Sequence, residues 1–115
     1  MIKVRKVREE FIVSLYQIEK VNTIFIDKIQ EQLELLMKSS GAKVYFDLSK
    51  ISFIDSSGFE MLKHINEIAG HNGSEFFLCN PTPEVEELLT LLELQNYFKT
   101  CKKSLKREMI EVEME

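Results

Sequence analysis

Asp55-Ser56-Ser57-Gly58-Phe59 is where the side chains able to do chemistry crowd together in this sequence. A carboxylate followed by two hydroxyls suits two kinds of work. With a base at hand, a serine becomes a nucleophile; without one, it is a surface group that a second protein can phosphorylate. The first requires a partner such as His64 or His71 and an aspartate to orient it. Asp-Ser-Ser-Gly is not the Gly-x-Ser-x-Gly elbow of hydrolases, and His64 falls roughly two helical turns further on. Asp47 and Asp55 lack the acidic pair after the first strand that a phospho-aspartate receiver uses. No glycine loop of the phosphate-cradling kind is present. The chain is therefore expected to be no enzyme and to have no catalytic residue.

The hydroxyls must be placed by a helix. Gly58, Met61, Leu62, Ile65, Ile68 and Ala69 recur at the spacing of a buried stripe, which predicts a helix starting after Asp55 and closing at Gly70. Ser57 with Glu60 three residues on fits a capping box, in which the serine caps the helix and the glutamate reaches back. Ser56 then precedes the cap and turns its hydroxyl to solvent, either as a redundant cap or as a phosphoacceptor. Asp55 sits at the positive end of the helix dipole, a favourable place for a carboxylate. Phe59 lies off the buried stripe, in line with Lys63 and Asn66. It either packs against a neighbouring loop or stands exposed as an anchor for a partner.

Around this helix the sequence predicts alternating elements. Ile2 to Arg8 alternates apolar and charged residues, as a half-exposed strand does. Phe11 to Tyr16 follows after a turn at Glu9-Glu10 and completes a hairpin. Ile26, Ile29, Leu33 and Leu36 define a helix capped by Asn22 or Thr23 and ended by Ser39-Ser40-Gly41. Lys43 to Leu48 reads as a central strand, and Glu75 to Cys79 as another. Thr82 and Pro83 are cap and first residue of a third helix with Val85, Leu88, Leu89 and Leu92 inward. Tyr97 to Lys99 is a brief edge strand, and Thr100 caps a last helix burying Leu105, Met109 and Val112. The expected fold is α/β: a mixed β-sheet of four to five strands with about four α-helices, in one domain over residues 1–115.

Composition limits the function. The 115 residues are 44% hydrophobic and 30% charged, with a net charge of −4, as in ordinary globular domains. An acidic balance disfavours direct nucleic-acid binding, which needs a basic surface. No apolar run approaches the roughly 20 residues of a membrane helix, so no membrane insertion is expected. The first residues alternate too strongly for a signal peptide, which points to the cytoplasm. Two cysteines, Cys79 and Cys101, in apolar or helical context read as reduced thiols, buried or incidental. His64 and His71 lack the spaced cysteines of a zinc site, and no metal or cofactor is expected.

The run Asp47-Leu-Ser-Lys-Ile-Ser-Phe-Ile-Asp55-Ser56-Ser57-Gly58-Phe59 resembles the signature of STAS domains, the module shared by sulphate transporters and anti-sigma factor antagonists. The element order is similar to that family from end to end, and the size resembles its free-standing bacterial antagonists. The resemblance implies that Ser56, directly after the aspartate, is phosphorylated by a partner that is both anti-sigma factor and GHKL-type serine kinase. It implies that the unphosphorylated form binds that partner and releases a sigma factor, and that a serine phosphatase resets the switch. Asp55, Ser57, Gly58, Phe59, Lys63 and Asn22 would form the partner face. The chain departs from the pattern at Gln17-Ile-Glu-Lys-Val-Asn-Thr23, with Asn22 where an aspartate is common, and at Phe59, where leucine is usual. The alternative within the family is a constitutive adaptor, a subunit of a signalling scaffold or of a lipid-transport ABC complex.

Overall fold

The computed structural model describes residues 2–38, 40–102 and, for the backbone, 110–114. The alternation of Ile2–Val7 (β1) buries Ile2 and Val4 on one face, and Glu10–Leu15 (β2) does the same with Val13 and Leu15. The two pair antiparallel, Val4 opposite Val13. Lys43–Asp47 (β4), Glu75–Cys79 (β6) and Lys99–Cys101 (β7) then add in parallel, and Ile110–Met114 (β8) pairs antiparallel with the outer side of β1. The sheet order is β7-β6-β4-β2-β1-β8.

Among the described residues, three helices join the sheet through one large core: Ile26–Leu36 (α1), Ser56–His71 (α2) and Pro83–Leu91 (α3). Ile29 and Leu33, Leu62 and Ile65, and Val85 and Leu89 meet Val44, Phe46, Phe76 and Leu78 from the strands. The other sheet face buries Ile12, Tyr45 and Cys79 in a smaller cluster. There burial, and then the hydrogen bond its hydroxyl donates to Glu10 Oε1 at 3.0 Å, push Tyr45 up to about 12.

The mixed α/β class read from the sequence holds, with local differences. A two-stranded parallel ribbon, Lys20–Val21 (β3) beside Phe53–Ile54 (β5), was not visible, because two residues are too few to show a period. Helix α1 is preceded by Phe25 without a side-chain cap; Asn22 Oδ1 instead accepts from the Ile24 N–H at 3.1 Å, closing a local turn. The edge strand starts at Lys99, two residues later than expected, and takes in Thr100, the expected cap of a last helix. Of that expected helix, residues 103–109 lie outside the described residues, and Ile110–Met114 is strand. Cys79 and Cys101 are joined by a disulfide, not left as free thiols. The β6–β7 register sets them directly opposite on the same face, with Cα atoms 4.6 Å apart, and no sequence pattern shows strand register across 22 residues.

Candidate functional site

The site is the entrance of α2, and the β3–β5 ribbon builds it. Asp55 follows β5 directly and is held by its N–H, which donates to the Val21 carbonyl of β3 at 3.0 Å. The Ser52 N–H donates to the Glu19 carbonyl at 2.7 Å on the other side of β5. The loop Asn22–Thr23 is thereby fixed beside the helix start, although 34 residues separate Thr23 from Ser57.

Gly58 explains the close approach. A Cβ there would lie 2.7 Å from Ile54 Cγ2 and 3.0 Å from the Val21 carbonyl oxygen, both parts of the ribbon. Only glycine lets α2 sit down on β3 and β5 without displacing them. Gly58 is buried, so its contribution is packing, and it offers no atom to a partner.

Asp55 caps the helix in extended conformation, its Oδ1 accepting from the Gly58 N–H at 2.8 Å. Ser57 was expected in that role, with Glu60 reaching back. The structure places the cap two residues earlier, at Asp55, so Ser57 already lies inside the first turn. Its hydroxyl donates to Asp55 Oδ1 at 2.7 Å, and Glu60 points along the helix to Lys63 at 3.7 Å. With its single proton committed to Asp55, the Ser57 oxygen accepts from Thr23 Oγ1 at 3.3 Å. Bonds from the Ser57 hydroxyl first, and then from backbone N–H groups of Gly58, Thr23 and Ser57, hold the Asp55 carboxyl below the usual carboxylate range despite partial burial.

Ser56 is what remains. It is the first residue of α2, exposed, and its hydroxyl has no hydrogen-bond partner among the described residues. Its neighbours on both sides are tied down while it is not. His64 lies eight residues along the helix, about 12 Å at 1.5 Å per residue, out of hydrogen-bond reach of Ser56. Among the described residues no group of three His, Cys, Asp or Glu side chains could hold a metal ion, and no helix is long and apolar enough to cross a membrane.

The expected partner face is regrouped by these positions. Asp55, Ser56 and Ser57 stand together with the Asn22–Thr23 loop. Lys63 sits about two turns along α2, partly exposed and paired with Glu60. Phe59 as an exposed anchor is corrected: its side chain is 3% exposed and joins the main core, because α2 lies against the ribbon as well as the sheet and buries a broader face than the stripe alone. Thr23 and Val21 were missed as parts of the site. The signal for them was weak: Ile18 and Val21 are apolar residues in an otherwise polar connection, and both are buried.

Solved structures share this architecture. SpoIIAA, an anti-sigma factor antagonist, in its unphosphorylated form aligns over 91% of this chain and 90% of its own, at 14% identity and a TM-score of 0.72. The phosphorylated form of SpoIIAA, a Bacillus cell fate determinant, aligns over 91% and 93%, at 14% identity and a TM-score of 0.67. An anti-sigma-factor antagonist (STAS) domain protein from Planctomyces limnophilus aligns over 90% and 91%, at 19% identity and a TM-score of 0.74. At these identities the likeness is one of fold. The family model for the STAS domain matches residues 4–107, nearly the whole of the described chain. A match of that extent, on a fold shared with these structures, shows that the chain belongs to the STAS domain family.

Proposed function

We propose that the protein is a phosphorylation-switched binding regulator, an anti-sigma factor antagonist whose switch is Ser56. The observation that carries this reading is the uncommitted, exposed Ser56 hydroxyl between two residues that the fold has fastened. The two SpoIIAA structures, one unphosphorylated and one phosphorylated, support it at the level of the fold. The partner is an anti-sigma factor that is also a GHKL-type serine kinase, and a serine phosphatase reverses the modification. The protein itself acts by binding and catalyses nothing. Its setting is the cytoplasm, a reducing compartment that can open the Cys79–Cys101 disulfide the structure holds.

The step is a phosphoryl transfer from nucleoside triphosphate held by the kinase. The Ser56 oxygen bonds to the γ-phosphorus, the bond from that phosphorus to the bridging oxygen breaks, and the serine proton passes to a base on the kinase. The new group adds roughly −1.5 to −2 charge at the α2 N-terminus. The positive end of the helix dipole accepts it, so the fold is kept. The effect falls on the partner. A surface that fits Asp55 and a neutral hydroxyl meets additional like charge, and about 2.7 kcal/mol of penalty is a hundredfold in affinity.

The test is mass spectrometry after incubation with ATP and the anti-sigma factor kinase of the same cell. Phosphate is expected on Ser56. Phosphate on Ser57 alone overturns the choice of residue, and none on either leaves the adaptor alternative standing. Ser56→Glu is expected to weaken kinase binding about a hundredfold, with Ser56→Ala near wild type.

A further inference from the structure

Helix α3 carries more apolar surface than the core uses. Val85 and Leu89 point inward and are buried. Leu88 and Leu91 form a second edge, turned toward β5. Leu91 is 71% exposed and Phe53, on β5, is 41% exposed. A single exposed leucine is ordinary. Here Phe53, Leu88 and Leu91 line one cleft of about 340 Å³ between β5 and α3, together with Ser52.

The charges around the cleft say what it fits. Glu84 and Glu87 line it on the α3 side, two turns and one turn before Leu91 on the same helix face. Neither has a hydrogen bond or ion pair among the described residues, whereas Glu86 is paired with Lys102 at 3.2 Å. The helix dipole accounts for Glu84 in the first turn but not for Glu87 or for the exposed leucine. Lys20, across from Phe53 in the ribbon, is the one basic side chain of the adjoining strand. An apolar slot with unpaired carboxylates along one wall is the complement of an amphipathic helix with leucine-sized anchors and Lys or Arg beside them.

We propose that the β5–α3 cleft is a docking site for a basic amphipathic helical segment of a protein partner. The inference does not need Ser56 to be a phosphoacceptor. The two features are near enough for one partner to span them, since Phe53 and Ser56 are three residues apart, at most about 11 Å between Cα atoms.

The experiment is an NMR titration of the ¹⁵N-labelled protein with a helical peptide of leucines at i, i+4 and i+7 and lysines elsewhere, alongside its leucine–glutamate counterpart. Saturable amide shifts centred on Phe53, Leu88 and Leu91 are expected for the lysine peptide, with at least tenfold weaker binding of the glutamate peptide. Leu91→Asp should abolish the shifts while leaving the remaining spectrum folded. Glu84→Lys combined with Glu87→Lys should weaken binding at least fivefold. The titration uses unphosphorylated protein and a peptide without kinase activity, so its outcome is read separately from that of the phosphorylation test. Equal binding of both peptides, shifts centred instead on the isolated exposed Ile24, or no saturable shift overturns the proposal. So does concentration-dependent broadening at the cleft without peptide, which would make its occupant a second copy of the chain.

Discussion

Helices α2 and α3 begin in the same way: Asp55 accepts from the Gly58 N–H at 2.8 Å, and Thr82 accepts from the Val85 N–H at 3.3 Å. Beyond the cap they diverge. At α3, Thr82 also donates to the Ile51 carbonyl at 2.7 Å, the Asn80 N–H donates to the Cys101 carbonyl at 2.7 Å, and the Cys79–Cys101 disulfide lies just upstream. Pro83 fills the first helical position and adds neither donor nor hydroxyl. The hydroxyl and amide groups just named serve the fold. At α2 the same first position holds Ser56, and its hydroxyl serves nothing in the fold. A helix entrance can be made secure with one cap and a close-packed glycine, and a further hydroxyl is then available for regulation. The α1 entrance, with Phe25 and no side-chain cap, shows that packing can hold a helix start even without this.

The contrast can be broken from either side. Reducing the disulfide should cost most, about 3 kcal/mol by loop entropy for a separation of 22 residues. Denaturant unfolding with and without a dithiol reads it, and the α2 entrance should keep its amide shifts in the reduced protein. Gly58→Val should come next, at about 2 kcal/mol, because the added atoms meet Ile54 and the Val21 carbonyl. An unchanged unfolding midpoint would show that the ribbon yields and that the close approach is not needed.

Asp55→Ala removes the cap and should cost about 1 kcal/mol at neutral pH. The pH dependence gives its sign. The folded carboxyl lies below its ordinary value, so its charge-dependent stabilisation is complete above about pH 4 and is lost as the pH falls through the folded value. Thermal melts should therefore show the gap between wild type and Asp55→Ala narrowing in acid; a gap that widens would contradict the hydrogen-bond pattern. Ser56→Ala should do least, within about 0.5 kcal/mol, since its hydroxyl has no hydrogen-bond partner among the described residues. A larger loss would mean that Ser56 is structural after all.

Much of this fold was legible because its signals are local. The α3 start was read residue by residue, since Thr82 and Pro83 act through their own geometry. The inward stripes of α1 and α2 followed from the helical period, and β1, β2, β4 and β6 from alternation or short apolar runs. The errors share a different cause. Asn22 as helix cap, Ser57 as cap and Phe59 as anchor each depended on where the Gln17–Thr23 segment would lie. Two-residue strands carry no periodic mark, so the ribbon that settles all three was invisible. The disulfide was missed because it depends on the register of β7 against β6, which no local pattern carries.

The residue types of this chain determined its alternating elements, the helix after Asp55 and the presence of a spare hydroxyl at its mouth, because capping, turn and burial preferences act within a few residues. That Asp55 and not Ser57 caps the helix, which way Phe59 faces, and that Phe53 meets Leu88 and Leu91 were decided only in three dimensions. Those outcomes depend on β3 meeting β5, on α2 settling against them through Gly58, and on strand register, all contacts between segments far apart in the chain that no local pattern encodes.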